Sequence, residues 1–204
     1  NPTTRHLLYS DAFFFLFDPT RDSRFRARMR GKEDPQLSKE TRVQRQEILL
    51  TELINRFRKH SGEREDTRTN RTLIVVVSKA DLWLNLLSIT VPPKPYRWES
   101  EQKTNAVDID LLKRVSFAVR CLLEELCPEL ISTVESFAKN VLYVPHSALG
   151  RSPEVDPDSD LLCVRPGEIE PFWASAPMLY FFYRRGFIPA ASTRALPEGD
   201  MVDV

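Results

Sequence analysis

Histidine, cysteine and glycine are scarce in this 204-residue chain, and each scarcity removes a class of chemistry. Histidine occurs only at His6, His60 and His146. His146 has a nucleophile, Ser147, beside it, but neighbours on an extended chain point apart. With no G-x-S-x-G elbow either, a serine-hydrolase reading is set aside. Cys121, Cys127 and Cys163 are too few for a disulfide framework and are not spaced as zinc ligands, which suits a reducing compartment. Cys121 and Cys127 fall on a helical apolar pattern and are expected as buried thiols. The glycines build no G-x-x-x-x-G-K-[ST] loop, whose backbone N–H groups would cradle phosphate. Gly31-Lys32-Glu33 lacks both the earlier glycine and the following hydroxyl. Charge of one sign is missing too: 29 basic and 29 acidic residues leave no field to draw nucleic acid or acidic lipid. Apolar runs such as Ala12 to Phe17 fall far short of the roughly 20 residues a membrane helix needs. No membrane span and no signal peptide are read, and a cytoplasmic setting is expected.

What is present is a pair of loops at strand ends. The run Leu73-Ile74-Val75-Val76-Val77 reads as a buried parallel strand and ends in Ser78-Lys79-Ala80-Asp81. In open α/β sheets, ligands sit beyond the carboxyl ends of such strands. A lysine stem can cover one face of a planar heterocycle, while a carboxylate two residues later accepts from two adjacent N–H donors. Guanine has that edge in its N1–H and N2 amine, and adenine does not. On its own the tetrapeptide reads as an ordinary solvated loop. A second apolar run, Val141-Leu142-Tyr143-Val144-Pro145, leads into His146-Ser147-Ala148-Leu149-Gly150. There the Ala148 amide is placed to donate to a base oxygen such as guanine O6, with the Ser147 hydroxyl bracing the turn. Two such loops in this order are far more specific than one.

These residues resemble the TRAFAC-type, Ras-like GTPases. Ser78-Lys79-Ala80-Asp81 is similar to their N/T-K-x-D base-recognition motif, and Ser147-Ala148-Leu149 to their S-A-K motif. Asp11-Ala12-Phe13-Phe14-Phe15-Leu16-Phe17-Asp18 resembles the strand between the D-x-x-G switch motif and the base-recognition strand. Asp18-Pro19-Thr20, Asp34-Pro35-Gln36 and Cys127-Pro128-Glu129 resemble bacterial double-GTPase-like proteins. The resemblance, over about residues 7–185, implies a partial three-layer P-loop NTPase-like α/β fold of about three parallel strands flanked by helices. It implies a site of Ser78, Lys79, Asp81, Ser147, Ala148 and Leu149 for GTP or GDP. Mg2+ would enter only with an upstream half of the same domain, and a protein effector is a further possible partner. Ser78 stands where the family has Asn or Thr, and Leu149 where it often has Lys, but neither change touches the Asp81 carboxylate or the Ala148 amide. With no phosphate loop and no D-x-x-G before the first strand, truncation is expected over a degenerate pseudo-GTPase scaffold. Neither form hydrolyses GTP by itself.

Along the chain, residues 1–10 are expected to finish a helix or loop, and Ala12–Phe17 to form a strand apolar on both faces, internal in the family and with one edge left open here without the upstream phosphate-loop strand. Residues 19–37 read as a polar connection with Arg21, Arg24, Arg26, Arg28 and Arg30, favoured as a solvated insertion over a contact for phosphate, acidic protein or nucleic acid. Ser38 is expected to cap a helix to about Lys59, with Val43, Leu50, Leu53, Ile54 and Phe57 on one face and Gly62 ending it. Residues 83–109 form a long insertion containing Pro92-Pro93-Lys94-Pro95 and Trp98, a lid or a passive excursion. Trp83 either walls the base pocket or packs under the loop. Asp110 is expected to cap a second helix that Pro128 breaks and that resumes through Phe137. A final helix is expected over Trp173–Arg185, its aromatics in the core. The domain takes residues 1–186, and 187–204 read as a flexible tail.

Overall fold

The computed structural model describes residues 2–29, 34–38, 45–64, 66–100, 103–157, 159 and 161–192. Arg30, Gly31-Lys32-Glu33, Val43 and residues 193–204 lie outside the described residues. The elements run α1 (Pro2–Tyr9), β1 (Ala12–Phe17), a 3-10 turn (Pro19–Arg21), α2 (Ser23–Arg28), α3 (Pro35–Ser38), α4 (Gln46–Ser61), β2 (Thr69–Val77) and α5 (Ala80–Trp83). They continue β3 (Tyr96–Glu99), β4 (Thr104–Val107), α6 (Ile109–Leu126), α7 (Pro128–Phe137), β5 (Ala138–Pro145), β6 (Glu154–Val155), β7 (Leu162–Cys163) and α8 (Ala176–Arg184).

β1, β2 and β5 form a parallel sheet in that order, flanked by helices. The β-branched centre of β2 explains its place: Leu73 to Val77 are all buried, as a middle strand covered on both faces requires. Each such side chain contributes about 1.5–3 kcal/mol on full burial. Phe13 of β1 meets Phe57 of α4 at 5.4 Å and Phe137 of α7 at 5.6 Å. Phe14, on the opposite face by strand alternation, lies 6.5 Å from Phe181 of α8. β1, although apolar on both faces, lies at an edge of the sheet. Among the described residues nothing pairs with its outer edge, and Phe14 and Leu16 are 46% and 62% exposed.

Several boundaries differ for identifiable reasons. Within the polar connection, residues 19–28 form two short helical turns, because aspartates cap them. The Asp18 carboxylate accepts from the Thr20 N–H, and that of Asp22 from the N–H groups of Arg24 and Phe25. Two of the described arginines have partners in the fold: Arg24 pairs with Glu129 at 2.9 Å, and Arg26 donates to the carbonyls of Thr20 and Leu37. Ser38 ends α3 rather than capping α4, which starts at Gln46 and stops where Gly62 adopts φ 71°. Asp108, not Asp110, caps α6, its carboxylate accepting from the Leu111 N–H at 2.9 Å. Pro128 opens α7, separating it from α6 at Cys127. Cys127 is buried, but Cys121 is exposed, on the outer side of α6. The insertion holds the antiparallel β3–β4 hairpin. Residues 187–192, expected to begin a tail, run beside β4, where the Ala191 N–H donates to the Val107 carbonyl at 2.8 Å. α8 starts only at Ala176, because Trp173 takes φ 52° and its indole N–H donates to the Pro92 carbonyl at 2.7 Å. Among the described residues no helix is long and apolar enough to cross a membrane.

Candidate functional site

Parallel register brings the strand ends level. Phe17 pairs with Val77 and Val77 with Pro145, so all three chains leave the sheet at the same end. The Ser78 N–H and hydroxyl both donate to the Phe17 carbonyl, at 2.9 and 3.0 Å, binding the second loop to β1. The His146 N–H donates to the Val77 carbonyl at 2.9 Å, and the Ala80 N–H to the His146 carbonyl at 3.0 Å. Between these anchors Lys79 takes the left-handed conformation, φ 55° and ψ 43°, an uncommon state for a residue with a Cβ. α5 then starts immediately, carrying Asp81.

The two loops meet at Asp81. The Ser147 hydroxyl donates to Asp81 Oδ1 at 2.5 Å and accepts from the Gly150 N–H at 2.9 Å. Asp81 Oδ2 is buried and has no hydrogen-bond partner among the described residues. A buried, unpaired carboxylate oxygen is costly, and a ligand N–H would relieve that cost. The Ala148 residue is exposed, and its amide has no hydrogen-bond partner among the described residues. The Leu149 carbonyl accepts from the Glu170 N–H at 3.0 Å. At Gly150, with φ 75°, a Cβ would stand 1.8 Å from the Glu170 carbonyl oxygen, so only glycine allows this crossing.

Asp81 lines a groove of about 700 Å³ whose other walls come from Leu84 to Val91, including Asn85, Ser88 and Thr90. Ser78, Lys79, Ser147, Ala148 and Leu149 are not among its walls. Trp83 is not a pocket wall either. It is fully buried, edge-on to Phe25, and its indole N–H donates to the Ser78 carbonyl at 2.8 Å from beneath the loop.

Lys79 has partners that its motif did not reveal. Its ammonium donates to Thr20 Oγ1 at 2.8 Å and pairs with Asp18 Oδ2 at 3.1 Å. Gln46 holds Asp18 from behind: its carbonyl oxygen accepts from the Asp18 N–H at 2.8 Å, and its amide donates to the Asp18 carbonyl at 2.9 Å. The signal that could have found Asp18 and Thr20 is positional, since D-P-T directly follows β1 as S-K-A-D follows β2. Gln46 had none. His146 is half-buried with Nδ1 unpartnered among the described residues, and burial lowers its pKa, favouring the neutral ring.

Among the described residues no group of three or more His, Cys, Asp or Glu side chains is arranged to hold a metal ion. Comparison with protein-family models, curated proteins and solved structures finds no match for this chain.

Proposed function

We propose that the ends of β2 and β5 form the guanine-recognising half of a GTP- or GDP-binding site on a P-loop NTPase-like sheet of the TRAFAC type. The observation that carries this reading is the Asp81 carboxylate, with one oxygen held by Ser147 and the other buried without a partner among the described residues. Its partnerless oxygen suits an incoming N–H of guanine's N1/N2 edge, and its Ser147-held oxygen retains acceptor capacity for the other. The Ala148 amide suits O6, and the methylene stem of Lys79 suits a ring face once the ammonium is anchored at Asp18 and Thr20. The open outer edge of β1, with Phe14 and Leu16 exposed, suits the addition of an upstream phosphate-binding half. This chain by itself binds the base without hydrolysing the nucleotide, because the sequence contains no phosphate-cradling loop.

A site that uses its own acceptor to read N–H groups rejects an analogue lacking them by about 10⁴-fold, because that acceptor is left unpaired. Saturation-transfer NMR with guanosine, adenosine and xanthosine tests the reading. Guanosine is expected to give signal and adenosine none. Asp81→Asn is expected to abolish the guanosine signal and gain one from xanthosine, whose C2 oxygen wants a donor. Unchanged guanosine binding by that variant would remove Asp81 from the role.

A second reading, a non-catalytic pseudo-GTPase scaffold or interaction module, has one observation on its side. The groove that Asp81 lines does not include Ala148. Absence of binding by all three nucleosides, both here and in a longer chain carrying an intact phosphate loop, would favour the scaffold.

A further inference from the structure

The far side of the sheet carries a second groove, of about 430 Å³. Six consecutive residues of β5, Ala138 to Tyr143, line it. Successive strand residues point to opposite faces, so a groove touched by six in a row follows the strand's edge rather than either face. That edge is open, since the sheet order places β5 outermost among the described residues. At its upper end the Tyr143 N–H points out of the sheet and donates to Ser116 Oγ of α6 at 2.9 Å. Outward amides recur at every second residue, so those of Val141 and Lys139 face the groove, and no described strand pairs with them.

The remaining walls are basic and aromatic. Lys113, Arg120, Arg68 and Lys139 line the groove against a single carboxylate among the described residues, Glu135. Glu135 is already occupied, by Arg120 at 2.6 Å and the Tyr143 hydroxyl at 3.2 Å. Lys113 and Lys139 are exposed and form no ion pair among the described residues. Phe117, one helical turn after Lys113, is 67% exposed at the same groove and offers an apolar anchor.

We infer that the outer edge of β5 is a docking site for an acidic, extended peptide segment of a partner protein, which adds to the sheet as a further strand. Main-chain hydrogen bonds to the outward groups at 139 and 141 supply part of the binding. Carboxylates opposite Lys113 and Lys139 set the charge preference, and an apolar side chain on Phe117 fixes the register. Six strand residues span about 20 Å, enough for a six-residue segment. Nucleic acid fits less well: the wall repeats at peptide spacing, and the chain as a whole is neutral. The site is independent of the nucleotide reading and stands or falls without it.

The test is fluorescence anisotropy on the full chain with a fluorescein-labelled peptide of alternating Glu and Val, eight residues long. Three comparison probes accompany it: a Lys/Val peptide, the acidic peptide N-methylated at alternate residues, and an oligo-dT of similar length. The acidic peptide is expected to bind, with at least tenfold weakening by N-methylation, by Lys113→Glu with Lys139→Glu, and by Phe117→Ala. All three positions are exposed, so circular dichroism of the variants should match the parent. Failure of the acidic peptide to bind, equal binding of the N-methylated form, or tighter binding of oligo-dT would each overturn the assignment.

Discussion

Ser147→Ala is the perturbation whose cost follows most directly from the structure. Ser147 is 3% exposed, and its hydroxyl makes two bonds, one donated to the Asp81 carboxylate and one accepted from the Gly150 N–H. A bond to a charged group is worth about 1.5–3 kcal/mol and a neutral one about 0.5–1.5. Asp81 is only half-buried as a residue, which argues against the upper limit. Together they give a loss of about 2–4 kcal/mol, or roughly 5–15 °C in Tm for a domain of this size. Urea unfolding reads the change as a lowered midpoint at unchanged slope. A double-mutant cycle with Asp81→Ala separates the two bonds. The hydroxyl–carboxylate coupling is expected to be about 1–2 kcal/mol, with the Gly150 bond remaining outside it. The same variant should weaken guanosine binding, because nothing then aims the carboxylate. A total loss below about 0.5 kcal/mol, the level of an ordinary surface change, would refute the claim that this hydroxyl joins the two loops.

Gly150→Ala should cost about 3 kcal/mol or more, since a left-handed conformation alone costs a residue with a Cβ about 1–2 and the Glu170 carbonyl must also move. Gly62→Ala shares the positive φ but meets nothing within 4 Å among the described residues, so equal losses in the two would disprove the close approach at Gly150. Of the three thiols, Cys121 and Cys163 are exposed, while burial pushes the Cys127 thiol pKa up. A disulfide reagent at pH 8 should therefore titrate two thiols quickly and the third only in denaturant, and three fast thiols would contradict the packing of Cys127. The hydrogen bond from Arg120 leads the causes that hold the Glu135 carboxyl below its usual range. A depressed carboxylate contributes stability above its unfolded pKa of about 4.3 that is lost as pH falls through the folded value. The Tm gap between parent and Glu135→Gln should accordingly narrow on acidification below about pH 4.3, and a gap that widened would reverse the sign of the interaction.

The sequence made the sheet legible because β2 and β5 are apolar runs too short for helices and end in polar loops. It hid what depends on neighbours: β1 and β5 are apolar runs like β2 yet lie at the two edges of the sheet among the described residues, Trp83 had two open placements of which packing decides for the buried one, and Cys121, on a helical apolar pattern, is exposed. The capped turns at Asp18 and Asp22 were readable in principle, from an aspartate followed two and three residues later by orphan helix N–H groups. The Lys79 pair with Asp18 looks inaccessible at a separation of 61 positions, but parallel register shortens the problem. Residues equally far past paired strand ends lie level, so Asp18, Ser78 and His146 stand in one row beyond Phe17, Val77 and Pro145. One step further along, Lys79 reaches back to that row at Asp18 and onward to Thr20, while Ser147 reaches onward to Asp81. Once the strand order β1-β2-β5 is granted, both contacts fall within two residues of level. What no offset supplies is the direction of each side chain: the left-handed turn at Lys79 combines with α5 starting at the next residue, and together they set where Asp81 points. The chemistry of this site therefore rests on one backbone conformation that neither Lys79 nor its neighbours announce.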